Sequence, residues 1–120
     1  MGTGGLDGRI APRFKTRIFG VFNTDIDLDE TEMLMTNMSL GGAFIRTENP
    51  AQPGTPVTLQ VYLKEDDPPL SVAGEVVWWR MPGHGEQPGM GVKFNQIASA
   101  DLERMKAYLA GLVEADLFGD

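Results

Sequence analysis

The strongest constraint on the fold is a period-two alternation of apolar and polar residues. One run places an apolar side chain at every second position: Val57, Leu59, Val61 and Leu63. Successive side chains of a strand point to opposite faces, so this run predicts a strand with one buried face. The longer run Leu70–Arg80 repeats the pattern. Strict alternation there places Trp78 on the same face as Val72 and Val76.

Four further strands are predicted where strand-favouring residues lie between turn signals: Phe14–Phe22, Glu32–Thr36, Ala43–Thr47 and Met90–Phe94. Proline and glycine break the chain in "ENPAQPGTP" and "MPGHGEQPG", and "TNMSLGG" is interpreted as a turn. Several short strands with turns at near-regular spacing are typical of an antiparallel barrel. The sequence therefore predicts a mainly β fold, a six-stranded antiparallel β-barrel.

The C-terminal part of the chain follows a different period. Four apolar residues recur there at helical spacing: Leu102, Met105, Leu109 and Leu112. Ser99 is a candidate N-cap, and Asp101 would complement the helix dipole in the first turn. We expect one amphipathic C-terminal α-helix that closes an end of the barrel or packs on its flank.

The length of 120 residues fits one domain. We interpret residues 1–8 as a flexible, glycine-rich leader that a ligand could order, and residues 9–116 as the folded domain. No apolar run approaches the roughly 18 residues of a membrane span, and the N-terminus lacks the apolar core of a signal peptide. The expectation is a cytoplasmic protein without membrane insertion, either a monomer or a weak dimer.

The sequence offers little for catalysis. It contains no cysteine, and its one histidine, His84, lies between two glycines in a loop. No G-x-S-x-G elbow is present. The acidic residues between Asp25 and Glu32 alternate along a hairpin tip, a pattern more typical of a solvated edge than of a metal site. We therefore expect neither an enzyme nor a metal or cofactor site.

The formal net charge is −7, yet residues 9–17 carry four basic residues and no acid. These are Arg9, Arg13, Lys15 and Arg17. An acidic chain repels long polyanions, which argues against DNA or RNA as a partner. A concentrated basic segment can still hold a small anion.

Two motifs offer binding chemistry. The first is R-x-x-x-R, which fits either Arg9 with Arg13, if the first strand begins at Phe14, or Arg13 with Arg17, if it begins at Ile18. The guanidinium fork of arginine matches phosphate oxygens and the O6/N7 edge of guanine.

The second motif is N-x-S-x-x-G, formed by Asn37, Ser39 and Gly42. Alternate residues of an extended turn point the same way, so Asn37 and Ser39 could reach one base. Gly41 and Gly42 can supply positive φ and a close backbone approach.

Together and in this order, the two motifs resemble those of the PilZ domain family. The resemblance covers about residues 9–113 and extends to "NMSLGGAFIRTENP", "PGTPVTLQVYL", "GEVVWW" and "PGMGVKF". These segments are similar to the single-domain branch common in myxobacteria. The resemblance implies a six-stranded barrel with a C-terminal helix and a receptor for the second messenger cyclic di-GMP. It implies that the arginines grip phosphates and guanine edges, that Asn37 and Ser39 bind a guanine, and that Gly42 shapes the turn.

A receptor of this kind would present a ligand-altered surface to a protein partner, with motility regulation as one candidate pathway. The alternative is a PilZ-like adaptor that binds its partner without nucleotide. Adjacent Trp78 and Trp79 should face opposite sides of their strand, one in the core and one exposed where it could line a ligand or partner surface.

Overall fold

The computed structural model describes residues 14–83 and 85–118, with side chains described as far as residue 112. The predicted leader, Arg9, Arg13 and His84 lie outside the described residues. The chain forms six strands and one helix: β1 (Phe14–Thr24), β2 (Thr31–Ser39), β3 (Gly42–Arg46), β4 (Pro56–Val61), β5 (Leu70–Arg80), β6 (Gly89–Ile97) and α1 (Ser99–Phe118).

The six strands close into a barrel in the order β1-β2-β3-β6-β5-β4, and every neighbouring pair is antiparallel. Pairing of β1 with β4 closes the cylinder, with Gly20 opposite Val61 and Thr24 opposite Val57. Because the barrel is closed, the apolar side chains at alternate strand positions fill its interior. The predicted fold class, a six-stranded antiparallel barrel with a C-terminal helix, is confirmed.

The barrel interior is filled by aliphatic and methionine side chains. The residues without measurable exposure include Met35, Met38, Ile45, Leu59, Val61, Leu70, Val72, Val76 and Met90. Helix α1 adds Met105 and Leu109, both buried in the same cluster, and Tyr108 and Leu112 pack partly against it. The helical spacing in the sequence thus predicted the residues that cover one end of the barrel.

Polar contacts fix the start of α1 against the barrel. The Asp101 carboxylate accepts a hydrogen bond from the Ser71 backbone N–H at 3.2 Å, and Arg104 donates to the Pro68 carbonyl at 2.5 Å. The Leu102 N–H donates to the Ala98 carbonyl at 2.8 Å, so Ala98 occupies the cap position. Ser99, the predicted N-cap, is instead the first helical residue. No helix in the described part of the chain has the length and apolarity to cross a bilayer.

Strand β2 is longer than the sequence predicted. It continues through Ser39, which pairs with Gly42, so only Leu40 and Gly41 form the turn. The stretch "NMS", interpreted from sequence as turn, is therefore strand. Asn and Ser are unfavourable strand residues, but pairing with β1 and β3 on both sides overrides that local preference.

The prediction that one of the two adjacent tryptophans lies in the core is wrong. Neither is in the core, since Trp78 is 44% exposed and Trp79 is 38% exposed. The register of β5 against β6 shifts between Val76 and Trp78, and Val77 is exposed as well. This bulge breaks the strict alternation, so Trp78 lies on the outer wall and not on the inner face with Val76.

Candidate functional site

Two bulges shape the outer wall where β1, β2 and β3 meet. In β2, Met35 pairs with Ile45 and Asn37 with Phe44, which leaves Thr36 as the extra residue. In β1, Lys15 pairs with Asn37 and Ile18 with Met35, so β1 also carries an extra residue there. Bulges re-aim side chains that regular pleating would turn away.

The bulge in β2 explains how Asn37 reaches the outer wall. Met35 and Met38 are both fully buried, three positions apart, and the two residues between them, Thr36 and Asn37, both line the outer surface. The buried Thr16 hydroxyl donates to the Met35 carbonyl at 2.6 Å beside the bulge. The Met35 carbonyl is therefore satisfied next to the break in the ladder.

A row of directly paired residues crosses this wall over five strands. Lys15 of β1 pairs with Asn37 of β2, Asn37 with Phe44 of β3, Phe44 with Gly91 of β6, and Gly91 with Trp78 of β5. The row extends roughly 19 Å along the sheet, at about 4.8 Å for each strand spacing.

An open cleft of about 660 Å³ lies over this row. We call it the outer cleft; it is lined by Lys15, Thr16, Arg17, Thr36, Asn37, Phe44, Arg46, Trp78, Arg80 and Gln87. Its volume is within the range of small-molecule sites, about 300–1,000 Å³. The lining combines four basic side chains, the amide side chains of Asn37 and Gln87, and the aromatic rings of Phe44 and Trp78.

The outer cleft is cationic although the chain is acidic. Four of its residues are basic, namely Lys15, Arg17, Arg46 and Arg80, and no acidic residue is among its described lining. Within the described residues, no carboxylate pairs with the first three of these. Arg80 pairs with Glu86, and Lys15, Arg17 and Arg46 give this surface a local excess of positive charge on a chain with net charge −7.

The far wall of the outer cleft is aromatic. The rings of Phe44 and Trp78 stack with centroids 5.4 Å apart and an interplanar angle of 23°. The Arg80 guanidinium lies 5.6 Å from the Phe44 centroid and 5.5 Å from the Trp78 centroid. Arg80 also pairs with Glu86 at 3.3 Å and donates to the Gln87 carbonyl at 3.0 Å. These contacts hold three planar groups together, which we call the aromatic platform.

The structure brings two of the sequence-predicted residues into the outer cleft. Arg17 and Asn37 both line it, from β1 and from the bulge of β2. Arg9 and Arg13 lie outside the described residues, so their positions stay predictions. Strand β1 already includes Phe14, so it does not begin at Ile18, the start that the pair Arg13 and Arg17 requires.

The other two predicted residues lie at the β2–β3 turn. Ser39 is 1% exposed; its hydroxyl accepts a hydrogen bond from the Gly41 N–H at 3.2 Å and lies 3.5 Å from the Gly42 carbonyl as a donor. Ser39 and Gly42 do not line the outer cleft. In this structure the serine stabilises its own turn, a common use of a turn hydroxyl.

Gly42 is needed for close packing and not for an unusual backbone angle. A Cβ at Gly42 would lie 2.5 Å from the Val92 carbonyl oxygen of the neighbouring strand. The described glycines with positive φ are Gly54, Gly83 and Gly85. A close backbone approach is therefore found at Gly42 but not at Gly41, where an added Cβ would meet no atom within 4 Å, and neither glycine has a positive φ.

Sequence reasoning missed the residues that complete the outer cleft. Phe44 and Arg46 alternate on β3 with the buried Ala43 and Ile45, so simple alternation already indicated their outward direction. Trp78 could not be placed in this way because of the β5 bulge.

The "GMG" segment, residues 89–91, was a second sequence signal for the aromatic side of the cleft. A Cβ at Gly89 would lie 2.5 Å from Phe44 Cζ, and one at Gly91 would collide with the Trp78 indole. Two glycines at alternate positions of one strand thus leave the space that the two rings occupy.

The comparison with protein-family models matches residues 9–111 to the PilZ domain. The match covers most of the chain, so this protein belongs to the PilZ domain family, as the resemblance implied. A search of the curated proteins finds no match.

Solved structures with the same fold include three bacterial proteins. The Bacillus subtilis inhibitor of motility (MotI/DgrA) is 19% identical with a TM-score of 0.72, over 95% of this chain and 53% of that chain. MrkH from K. pneumonia, in complex with c-di-GMP, is 15% identical with a TM-score of 0.71, over 93% and 54%. This chain therefore spans about half the length of those two proteins.

A third structure matches over nearly its full length. The PilZ domain of Escherichia coli YcgR, with c-di-GMP, is 13% identical with a TM-score of 0.68, over 92% of this chain and 95% of that chain. At these identities the structural similarity shows the shared barrel and helix. The ligand and the partner of this protein have to be inferred from the chemistry of its own residues.

Proposed function

We propose that this protein is a cyclic di-GMP receptor without catalytic activity, and that the outer cleft binds the nucleotide. The observation that carries the proposal is the row of paired residues from Lys15 to Trp78, which combines a cation, an amide and an aromatic pair on a wall that three arginines also line. Membership of the PilZ family and the c-di-GMP complexes of MrkH and YcgR support the choice of ligand.

The proposed chemistry follows from the charges and shape of the cleft. The ligand carries two phosphates, which need cations to offset their charge in an acidic protein, and Arg17 and Arg46 are suited to this because of their forked donors. An amide at Asn37 can both donate to and accept from a base edge. The residues before β1 add Arg9 and Arg13 to the proposed site.

Ser39 and Gly42 have a supporting role in this proposal. The hydroxyl of Ser39 fixes the Leu40–Gly41 turn, and the missing side chain of Gly42 lets β3 approach β6. Both features hold the end of β2 in place next to Asn37, two residues earlier. Direct contact of Ser39 with a guanine stays a prediction that a complex would test.

Signalling would follow from a change of surface. We propose that the nucleotide, once bound, covers the cations of the outer cleft and alters what a protein partner meets there. A cytoplasmic partner in motility control is the leading candidate, because the inhibitor of motility MotI/DgrA shares this fold. Binding of a partner by a monomer or weak dimer fits this mode of action.

Calorimetric titration with cyclic di-GMP tests the proposal. We expect saturable binding by the native protein. Arg17→Ala should weaken it by about tenfold or more, because charge-assisted contacts are worth about 1.5–3 kcal/mol each. Parallel variants Arg9→Ala and Arg13→Ala then identify the arginine pair that acts with the cleft.

Lys106→Ala is the matched control for lost charge. Lys106 lies on the exposed side of α1, outside the outer cleft, and its variant should bind as the native protein does. Absence of heat at high micromolar ligand, with folded protein shown by circular dichroism, would refute the receptor proposal. That result would favour the nucleotide-independent adaptor.

A further inference from the structure

Strand β1 carries a graded order of side chains on its outer face. The alternate residues along it are Lys15, Arg17, Phe19, Val21 and Asn23. All of them are exposed or half-buried, whereas the residues between them are buried. The hairpin tip that follows, residues 25–30, is exposed and holds four carboxylates. One line along β1 is therefore positive at one end, apolar in the middle and negative at the other end.

The neighbouring strands widen the apolar middle of this line. Phe19 pairs with Leu34 of β2, and the Tyr62 N–H, just after β4, donates to the Phe19 carbonyl at 3.0 Å. Phe19 is 53% exposed, Tyr62 is 42% exposed and Leu34 is half-buried. Single exposed apolar side chains are ordinary, but contiguous ones on adjacent strands mark an interaction surface. We call the outer face of β1, with Leu34 and Tyr62, the β1 face, and residues 25–30 the acidic tip.

The acidic tip is an ordered loop whose charges are available for a partner. The Asp27 N–H donates to the Thr24 hydroxyl at 3.0 Å, which fixes the turn at the end of β1. The acidic tip also exposes two aliphatic side chains, Ile26 at 88% and Leu28 at 76%. Among residues 14–83 and 85–118, no ion pair includes a cation of the β1 face or a carboxylate of the acidic tip.

We propose that the β1 face is a docking surface for a second copy of this chain, packed face to face about a twofold axis. A twofold interface joins the same patch on both copies, so the patch has to be complementary to itself. An axis that crosses β1 near Val21 reverses the strand direction. It brings the acidic tip of each copy to Lys15 and Arg17 of the other copy. Opposite charges then meet at both ends of the interface, and apolar side chains meet in the middle.

The size of the β1 face predicts a weak and reversible dimer. The distance from Lys15 to Asn23 is about 26 Å at about 3.3 Å per residue, and the face is three strands wide. Such a surface lies in the low range of specific interfaces, below about 1,200 Å² in total. The net charge of −7 on each copy further opposes association. The dimer should therefore form at high protein concentration.

Sedimentation equilibrium of the native protein over a range of concentrations tests the dimer. We expect a monomer–dimer equilibrium that Phe19→Ser weakens by about tenfold or more, because Phe19 lies in the apolar centre of the interface. Val77→Ser is the matched control, since Val77 is 51% exposed on β5 and lies outside the β1 face. Its dimerisation should stay within about twofold of the native value. Circular dichroism shows whether each variant is folded.

An exchange of charges tests the twofold arrangement itself. One variant makes the basic end acidic: Lys15→Glu with Arg17→Glu. The other makes the acidic tip basic: Asp25→Lys, Asp29→Lys and Glu30→Lys. Each variant alone should be monomeric, because like charges then meet at both ends. An equimolar mixture should form a heterodimer, because opposite charges meet at both ends again.

The dimer needs no nucleotide, so its test is independent of the proposed function. Native protein that stays monomeric up to about 1 mM would overturn the second copy as the occupant of the β1 face. Association that Phe19→Ser leaves unchanged, or a mixture of the two charge variants that stays monomeric, would overturn the β1 face as the interface. Species larger than a dimer would overturn the twofold arrangement, because a head-to-tail contact does not close at two copies.

Discussion

The glycines at positions 42 and 111 differ in the space around them: Gly42 is tightly packed between strands, and Gly111 on α1 has open space. A Cβ at Gly42 would lie 2.5 Å from a backbone oxygen of β6, which cannot move without shifting the strand. A Cβ at Gly111, on α1, would meet no atom within 4 Å. Substitution by alanine should therefore change the free energy of unfolding in opposite directions at the two positions.

Gly42→Ala should lower the free energy of unfolding by about 1–3 kcal/mol, because the added methyl overpacks a strand pair. Gly111→Ala should raise it by about 0.5–1 kcal/mol, because alanine favours the helix. Urea denaturation followed by circular dichroism measures both. Equal stability of Gly42→Ala and the native protein would contradict the close approach of β3 to β6.

For single residues, the sequence indicated which ones belong to the site better than it indicated where their side chains lie. Arg17 and Asn37 were identified from motif spacing, and both line the outer cleft. Ser39 was expected to point with Asn37, but it is buried in its turn. The register from Asn37 to Ser39 is regular, so alternation still places both residues on one face. Alternation does not predict that Ser39 is buried and that its hydroxyl accepts a hydrogen bond within the turn.

The elements of the fold were predictable from local patterns in the sequence. Alternation located β4 and β5, strand-favouring residues between turn signals located the other four strands, and helical spacing located Met105 and Leu109 at the end of the barrel. The bulges in β1, β2 and β5 were not predictable, since an extra residue leaves no signature in composition. These bulges determine which residues line the cleft, so the site was less predictable than the fold.

Helix α1 and the outer cleft should respond separately to mutation. Met105→Ala should lower the free energy of unfolding by about 2–5 kcal/mol, because Met105 is 1% exposed in the shared core. At temperatures where the variant remains folded, its affinity for cyclic di-GMP should match that of the native protein, since Met105 does not line the outer cleft. Chemical denaturation and calorimetry measure the two quantities.

The neighbouring Lys106→Ala is the control for the helix. Lys106 is exposed, and among the described residues its one ion pair is with Glu103 at 3.4 Å, so its loss should change stability by no more than about 0.5 kcal/mol. Similar destabilisation by both variants would show that the helix is weakened as an element. In that case the Met105 result would say nothing specific about packing in the core.

Across the whole molecule, charge is separated in a way that the sequence indicated only in part. The basic segment 9–17 was evident, but Arg46 and Arg80 join Lys15 and Arg17 through sheet pairing that sequence order does not reveal. The acidic residues between Asp25 and Glu32 contribute much of the negative charge. The resulting molecule is an acidic barrel with one cationic wall.

Binding of cyclic di-GMP in the outer cleft is the property from which the proposed signalling function follows. Titration of the ¹⁵N-labelled protein with the nucleotide, followed by backbone amide and indole resonances, tests binding and location together. We predict saturable shifts concentrated at Arg17, Asn37, Phe44 and the Trp78 indole, with little change along α1. Shifts confined to α1, or none at saturating ligand, would contradict the claim.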